Sequence, residues 1–460
     1  METISFGTDG WRATLEEFTT ARVRMVGQAV ATYLRDEGLE GPVAVGYDAR
    51  ESSRGFAEEL TRVLCANGFD VLLPARDRPT PLFAYGIVER DLAGAFVVTA
   101  SHNPPEYNGV KFIPSDGAPA LPHVMDAIAD RLAEPESLPE ADHGQAREVD
   151  FVSPHADHAL SLVDADLSGL TVAYDAMHGS GRDTTDAVLE SAGATVERLR
   201  CSRDPAFGGS APEPSAANLT DLVEAVTGGE ADLGIANDGD ADRLAVVTPE
   251  RGYVDENLFF AALYDYLLES GRTGPAVRTV STTYLVDRVG AAHGESVYEV
   301  PVGFKWVAKG IADHDALVGG EESGGFTLDG HVREKDGVLM ALVAAAMHAA
   351  EPLDERVDRL LETHGTVTQD KTSVECPDAE KARVLDDLEA EIPETVAGVA
   401  VDEINTADGF KLALADGSWV LVRPSGTEPV LRIYAEAEDD ERVAALLEAG
   451  DALIRPLVTA

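Results

Sequence analysis

Short apolar runs alternate with stretches of helical period along the first three quarters of the chain. EEFTTARVRMVGQAVATYLRDEG carries apolar positions at helical spacing. PVAVGYD reads as a strand, SRGFAEELTRVLCANG as a helix ending at Gly68, and DVLLP and GAFVVTAS as further strands. Strands parted by helices argue for a largely parallel α/β sheet, and ligands in such sheets gather beyond the carboxyl ends of the strands. The polar, proline-bearing stretch LAEPESLPEADHGQAREVD marks a boundary near residue 150. A second set follows in LTVAYDAMHGSG, GATVERLR and ADLGIANDGDADRLAVVTPE. A third begins after Gly252 with ENLFFAALYDYLLESG, AVRTVSTTY and ALVGGEESGG. In VAVGYDAR, VAYDAMHGSG and RTVSTTYLVD a strand delivers polar residues into a loop before a helix, a hint of three copies of one fold. The remainder changes style, with strand-like GFKLALADGSWVLVRPSG and VLRIYAEAE ahead of a terminal helix, DDERVAALLEAGDALIR. The expected architecture is three similar mixed α/β domains, at 1–150, 151–252 and 253–365, and a smaller C-terminal α+β domain at 366–460.

The length of 460 residues agrees, since it exceeds what one core usually fills. The acidic start lacks an apolar leader segment. The longest apolar stretch, GVLMALVAAAMHAA, is shorter than the ~20 residues a bilayer needs. A soluble cytoplasmic protein with no membrane partner is expected. Cys65, Cys201 and Cys376 stand far apart without metal-type spacing and read as buried thiols. Charge alters the picture most: 83 acidic residues face 36 basic ones, seven of these lysines, for a formal net charge of −47. The acids are spread along the chain rather than gathered in a tail. That suits a surface kept hydrated in concentrated salt, hence a halophilic cytoplasm. No basic patch or stripe is visible, so nucleic acid is not an expected partner.

Four stretches carry candidate chemistry. In NDGDADR, Asp238, Asp240 and Asp242 follow the apolar run LGIA; fully extended they would lie about 7 Å apart in a line, but Gly239 lets the chain curl and the carboxylates converge. Such an oxygen cluster suits Mg²⁺, and the plain alternative is a solvated acidic turn. Calcium is less suited, because the twelve-residue loop with its final glutamate is missing. In TASHNPPEYNGVK, Ser101 is a candidate nucleophile beside His102 and ahead of Lys111, or else a helix cap or turn residue. A phosphate on it would be neutralised by a cation held at the aspartates, while Lys111 and Arg12, in GTDGWR, steady oxygens or move protons. RPSGTEP offers the planar donors of Arg423 with Ser425, Gly426 and Thr427, a nest for a dianionic phosphate or a simple turn. In GGEESGG, Glu321 and Ser323 alternate and are placed to bond neighbouring sugar hydroxyls, unless the loop is merely wet.

Together with VGFKWV, these stretches resemble the α-D-phosphohexomutase superfamily, the phosphoglucomutase/phosphomannomutase group, of halophilic archaeal type, in order and over almost the whole chain. The resemblance implies three similar α/β domains and a C-terminal domain around a central cleft. It implies that Ser101 is the phosphorylated serine and, with Asp238, Asp240 and Asp242, holds one Mg²⁺. Arg12, His102 and Lys111 would surround the transferred phosphoryl group, with Arg243 beside the metal loop. Gly303, Phe304, Lys305, Glu321 and Ser323 would contact the sugar, and Arg423, Ser425, Gly426 and Thr427 the distal phosphate. A hexose monophosphate would be isomerised through a hexose 1,6-bisphosphate, which also serves as activator, in a monomer or homodimer. Members accepting mannose or glucosamine phosphates often carry a histidine two residues after the sugar-loop serine, where this chain has Gly325. The resemblance therefore leans to phosphoglucomutase over phosphomannomutase, and to either over phosphoglucosamine mutase. A metal-dependent phosphatase or phosphodiesterase would share the serine, aspartates and Mg²⁺ without needing the distal nest. A sugar-phosphate sensor would be expected to have lost Ser101 or an aspartate.

Overall fold

The computed structural model describes residues 4, 7, 10–426 and 428–458. Three sheets repeat one plan. In the first, strand Val43–Tyr47 lies between Val71–Leu73 and Gly94–Val98, parallel to both, and Tyr107–Pro114 runs antiparallel beyond Gly94–Val98. In the second, Thr171–Asp175 lies between Thr195–Leu199 and Leu233–Asn237, with Leu244–Thr248 antiparallel beyond. In the third, Ala276–Thr279 lies between Val297–Val300 and Val318–Gly320, with Phe326–Leu328 antiparallel beyond. The central strands read as unbroken apolar runs because helices cover both faces: every residue of Val43–Tyr47, Gly94–Val98, Leu233–Asn237 and Leu244–Thr248 is buried.

The repetition places function. In each copy the connection from the third strand to its antiparallel neighbour is a loop, and these loops hold Ser101, the three aspartates and Glu321–Gly325. The three candidate stretches are thus the same loop in three copies. The fourth sheet is antiparallel throughout, from Thr368–Glu375 and Val430–Ala437 to Trp419–Pro424 and Phe410–Leu414, under helices Asp378–Glu391 and Asp440–Val458. Its RPSGTEP stretch begins in the last two residues of strand Trp419–Pro424 and leads toward Val430–Ala437.

The polar stretch before residue 150 is more than a connector. Ala146–Glu148 pairs parallel to Val71–Leu73 as an edge strand of the first sheet. Its three side chains are exposed, so backbone pairing alone holds it and no apolar alternation announces it.

Helix Gly337–Ala350 follows the third sheet in sequence, yet it packs on strands Leu233–Asn237 and Leu244–Thr248 of the second. Asp336 caps it, its Oδ1 accepting from the N–H groups of Val338 and Leu339. Asp336 Oδ2 accepts from His155 Nε2 (2.6 Å) and His331 Nε2 (2.9 Å), and His158 and Tyr85 stack on His331. Both oxygens are thus fully engaged, and the cluster rivets helices Thr80–Arg90 and Val152–Val163 to the third copy. The C-terminal domain docks on the third sheet through Glu299, which accepts from Arg278, Asn405 and Lys411. Among the described residues no single helix is long and apolar enough to cross a membrane.

Candidate active site

Ser101 and the aspartates meet. Ser101 Oγ donates to Asp238 Oδ2 at 2.7 Å and lies 3.2 Å from His102 Nδ1. All three carboxylates are fully buried, and one candidate ligand oxygen from each lies within 4.8 Å of the others. The expected curl occurs, but not at Gly239. The left-handed residue is Ala241, with φ of 55°, while Gly239 serves close approach: a Cβ there would stand 2.6 Å from Ser101 O.

The partners of each oxygen show how a cation fits. Asp238 Oδ1 accepts from the N–H groups of Asp242 (3.1 Å) and Arg243 (3.2 Å). Asp240 Oδ2 accepts from Thr80 Oγ1 (2.7 Å) and Lys111 Nζ (3.1 Å), and Asp242 Oδ2 from Lys111 Nζ (2.8 Å), with Lys335 Nζ at 3.3 Å. Asp240 Oδ1 and Asp242 Oδ1 are buried and accept no hydrogen bond among the described residues. One oxygen each of Asp240 and Asp242 is thus left for a hard cation, and Asp238 Oδ2, now shared with the serine hydroxyl, would complete a donor set suited to Mg²⁺. Burial pushes the Asp238 carboxyl well above the ordinary carboxylate range, and its two acidic neighbours add to this. Burial acts likewise on Asp240, but Lys111, the Thr80 hydroxyl and Arg12 outweigh it and hold that carboxyl low. His102 is pushed down to about 2 by Arg243, by burial and by Arg12, so its ring is neutral.

Around this centre, Arg12 Nη1 donates to Asn103 Oδ1 of the serine loop at 3.3 Å. The third copy closes on it: Leu244 N donates to Gly324 O at 2.9 Å, and Glu321 Oε1 accepts from Gly303 N at 3.0 Å, joining two of the expected sugar-contacting stretches. Lys305 and Ser323 are half-exposed beside them, and Phe304 is buried under the Lys335 ammonium. Arg423 meets the same region through Asp408, which accepts from Arg423 Nε (2.8 Å) and from Val302 N (3.2 Å). Ser425 is buried and Gly426 exposed, and Lys381 Nζ braces their turn by donating to the carbonyls of Ser425 and Glu428, each at 2.6 Å. Thr427 lies outside the described residues.

Sequence reasoning missed Lys335, Thr80, Asp408 and Lys381. One signal was available. In a chain with seven lysines, Lys111, Lys305, Lys335 and Lys381 all stand in or directly under these loops.

The chain matches, in order, four domain families described as phosphoglucomutase/phosphomannomutase alpha/beta/alpha domain I (residues 3–138), domain II (153–252), domain III (255–364) and C-terminal domain (372–452). It is 32% identical over 459 residues to a phosphoglucomutase/phosphomannomutase of Thermococcus kodakarensis, covering 98% of both chains. It is 34% identical over 446 residues to a probable phosphoglucosamine mutase of Methanopyrus kandleri, covering 96% of this chain and 95% of that one. It is also 34% identical to a phosphopentomutase of Thermococcus kodakarensis, over 96% of each. A crystal structure from Thermus thermophilus, provisionally assigned as a phosphomannomutase, superposes with a TM-score of 0.85 at 31% identity, over 98% of this chain and 99% of that one. Four matched domains in order and relatives aligned end to end establish that this chain belongs to the phosphoglucomutase/phosphomannomutase family of the α-D-phosphohexomutase superfamily, and that it is an intramolecular phosphotransferase.

Proposed function

We propose that the enzyme is a phosphoglucomutase, interconverting glucose 1-phosphate and glucose 6-phosphate through phosphorylated Ser101 and a hexose 1,6-bisphosphate. The carrying observation is the 2.7 Å contact of Ser101 Oγ with Asp238 inside a buried three-carboxylate cluster. In the first half-reaction the bond between phosphorus and the serine oxygen breaks and a bond to a sugar hydroxyl oxygen forms, with the hydroxyl proton leaving to a nearby base; the second half reverses this, the bond from phosphorus to the other sugar oxygen breaking as the bond to the serine oxygen re-forms and the freed sugar oxygen taking up the proton. In the second half the bisphosphate, turned end for end, returns its other phosphoryl group to Ser101. His102 would stand beside the transferring phosphoryl group with its ring neutral, and Lys111 and Arg12 would offer charge to the phosphoryl oxygens. Asp238, Asp240, Asp242 and a Ser101 oxygen would hold Mg²⁺, which when bound neutralises charge on the transferring group. Glu321, Ser323 and the Gly303–Lys305 stretch would bind sugar hydroxyls, Arg243 would stand beside the reacting group, and Arg423, Ser425, Gly426 and Thr427 would grip the distal phosphate.

Glucose is favoured at the sugar loop. A Cβ at Gly325 would stand 2.4 Å from Lys335 Cδ, so the lysine fills the space where members accepting mannose or glucosamine phosphates often carry a histidine. Rates measured with Mg²⁺ and a trace of hexose bisphosphate should rank glucose 1-phosphate above mannose 1-phosphate, and both above glucosamine and pentose phosphates. A faster rate with any of the others overturns the assignment. Release of inorganic phosphate instead of isomer would mark a phosphatase.

The −47 charge supports a protein adapted to strong salt. Its surface repels itself where ionic strength is low and screening lengths are long. Dilution from molar KCl into low salt at constant Mg²⁺ should abolish activity and helical circular dichroism together; full activity at low salt would refute this reading.

A further inference from the structure

A serine that must face the metal loop and then a sugar needs its backbone held, and the chain supplies a holder outside the site residues above. Ser101 has φ of 51°, a left-handed conformation that side-chain-bearing residues keep only under constraint. Arg50, 1% exposed, spends its guanidinium on this loop. Nη2 donates to the carbonyls of Ser101 (2.8 Å) and Asn103 (2.7 Å), and Nη1 to those of Pro104 (2.7 Å) and Tyr107 (3.1 Å). Nε donates to Asp48 Oδ2 at 2.9 Å. The same Asp48 oxygen accepts from Thr99 Oγ1 at 2.8 Å, and that hydroxyl oxygen accepts from Ser101 N at 2.8 Å. Both backbone groups of Ser101 are thus tied to one buried Asp48–Arg50 unit.

The repeat provides an internal control. Tyr47-Asp48-Ala49 recurs as Tyr174-Asp175-Ala176 at the same place in the second copy, but the next residue there is buried Met177, and Asp175 pairs instead with Arg200 (2.9 Å). The loop after the first strand of the third copy, Val280–Tyr284, holds no arginine. The loop after the first strand therefore carries no arginine of its own in the two copies that lack the serine. A buried ion pair is weak evidence for stability alone, since desolvation offsets much of the attraction. We infer that Arg50 is a positioning residue for phosphoryl transfer: through four loop carbonyls it holds Ser101 Oγ at the reacting position, an inference that rests on Ser101 being the nucleophile.

The test uses the full chain in strong salt, with Arg50→Lys, Thr99→Val and Ser101→Ala. Lysine keeps the charge but lacks the fork that reaches four carbonyls, and valine keeps the shape of threonine without its hydroxyl. Measured quantities are kcat and KM with glucose 1-phosphate, the melting temperature, and the rate at which intact mass shows Ser101 gaining a phosphoryl group from glucose 1,6-bisphosphate. Arg50→Lys should lower kcat about 10²-fold with KM within about twofold, and slow phosphorylation to match, the cost of a misplaced reacting atom. Thr99→Val should lower kcat by about tenfold in the same pattern, and it decides the matter if Arg50→Lys does not fold. A merely structural role would move the melting temperature and leave kcat per folded molecule unchanged, and that result overturns the inference. An inactive Ser101→Ala beside a fully active Arg50→Lys strikes the positioning role alone, whereas an active Ser101→Ala strikes the nucleophile as well.

Discussion

Replacing Ser101 by alanine is expected to abolish isomerisation, by on the order of 10⁴-fold or more, while leaving the folded protein intact. Loss of the oxygen removes the acceptor in one half-reaction and the donor in the other, so neither direction is spared. The fold should tolerate the change. Alanine and serine pay similar costs for left-handed backbone, the carbonyl of residue 101 keeps its bond to Arg50, and the N–H keeps its bond to Thr99. Asp238 loses one partner but retains the N–H groups of Asp242 and Arg243. The measurement pairs a coupled assay for glucose 6-phosphate with a melting curve and with mass analysis after exposure to glucose 1,6-bisphosphate. Near-normal turnover in a folded variant, or a phosphoryl group acquired elsewhere, would refute the assignment.

Much of this was legible in the sequence for reasons that are local. Buried parallel strands announce themselves as unbroken apolar runs, and the loops that leave them concentrate glycine, proline and charge. Ser101, the aspartates and Glu321 could therefore be picked out, and the recurring strand-to-loop pattern hinted at the threefold repeat. What escaped was non-local. Thr80 reaches Asp240 across 160 positions, Lys335 reaches Asp242 from the third copy, and Asp408 joins Arg423 to Val302 between domains. None has a neighbouring pattern that marks it. The edge strand Ala146–Glu148 escaped because backbone pairing with exposed side chains leaves no trace in hydropathy. The bend of the aspartate loop was assigned to its glycine, yet the left-handed turn fell on Ala241, because the glycine was needed where backbone meets Ser101.

Asp240→Asn tests the other half of the centre, and the oxygen accounting sets its outcome. The carboxylates here face Lys111, Lys335 and Arg243, and Arg12 also acts on Asp240, so without a bound cation these side chains already offset the acidic charge. The lysines engage Oδ2 of Asp240 and Asp242, leaving each Oδ1 for metal. Asparagine keeps the shape, and its carbonyl oxygen can still accept from Thr80, so the melting temperature should change little. Removing one negative charge tips the balance toward the lysines and takes a charged oxygen from the cation's donor set. The Mg²⁺ concentration for half-maximal activity should rise by about 10²-fold, and kcat at saturating Mg²⁺ should fall by a similar factor. Titrating activity with Mg²⁺, alongside calorimetric Mg²⁺ binding to Ser101→Ala with and without Asp240→Asn, separates affinity from chemistry. An unchanged Mg²⁺ requirement in a folded Asp240→Asn enzyme would show that the three carboxylates serve only to hold their lysines, and the metal would have to be sought elsewhere.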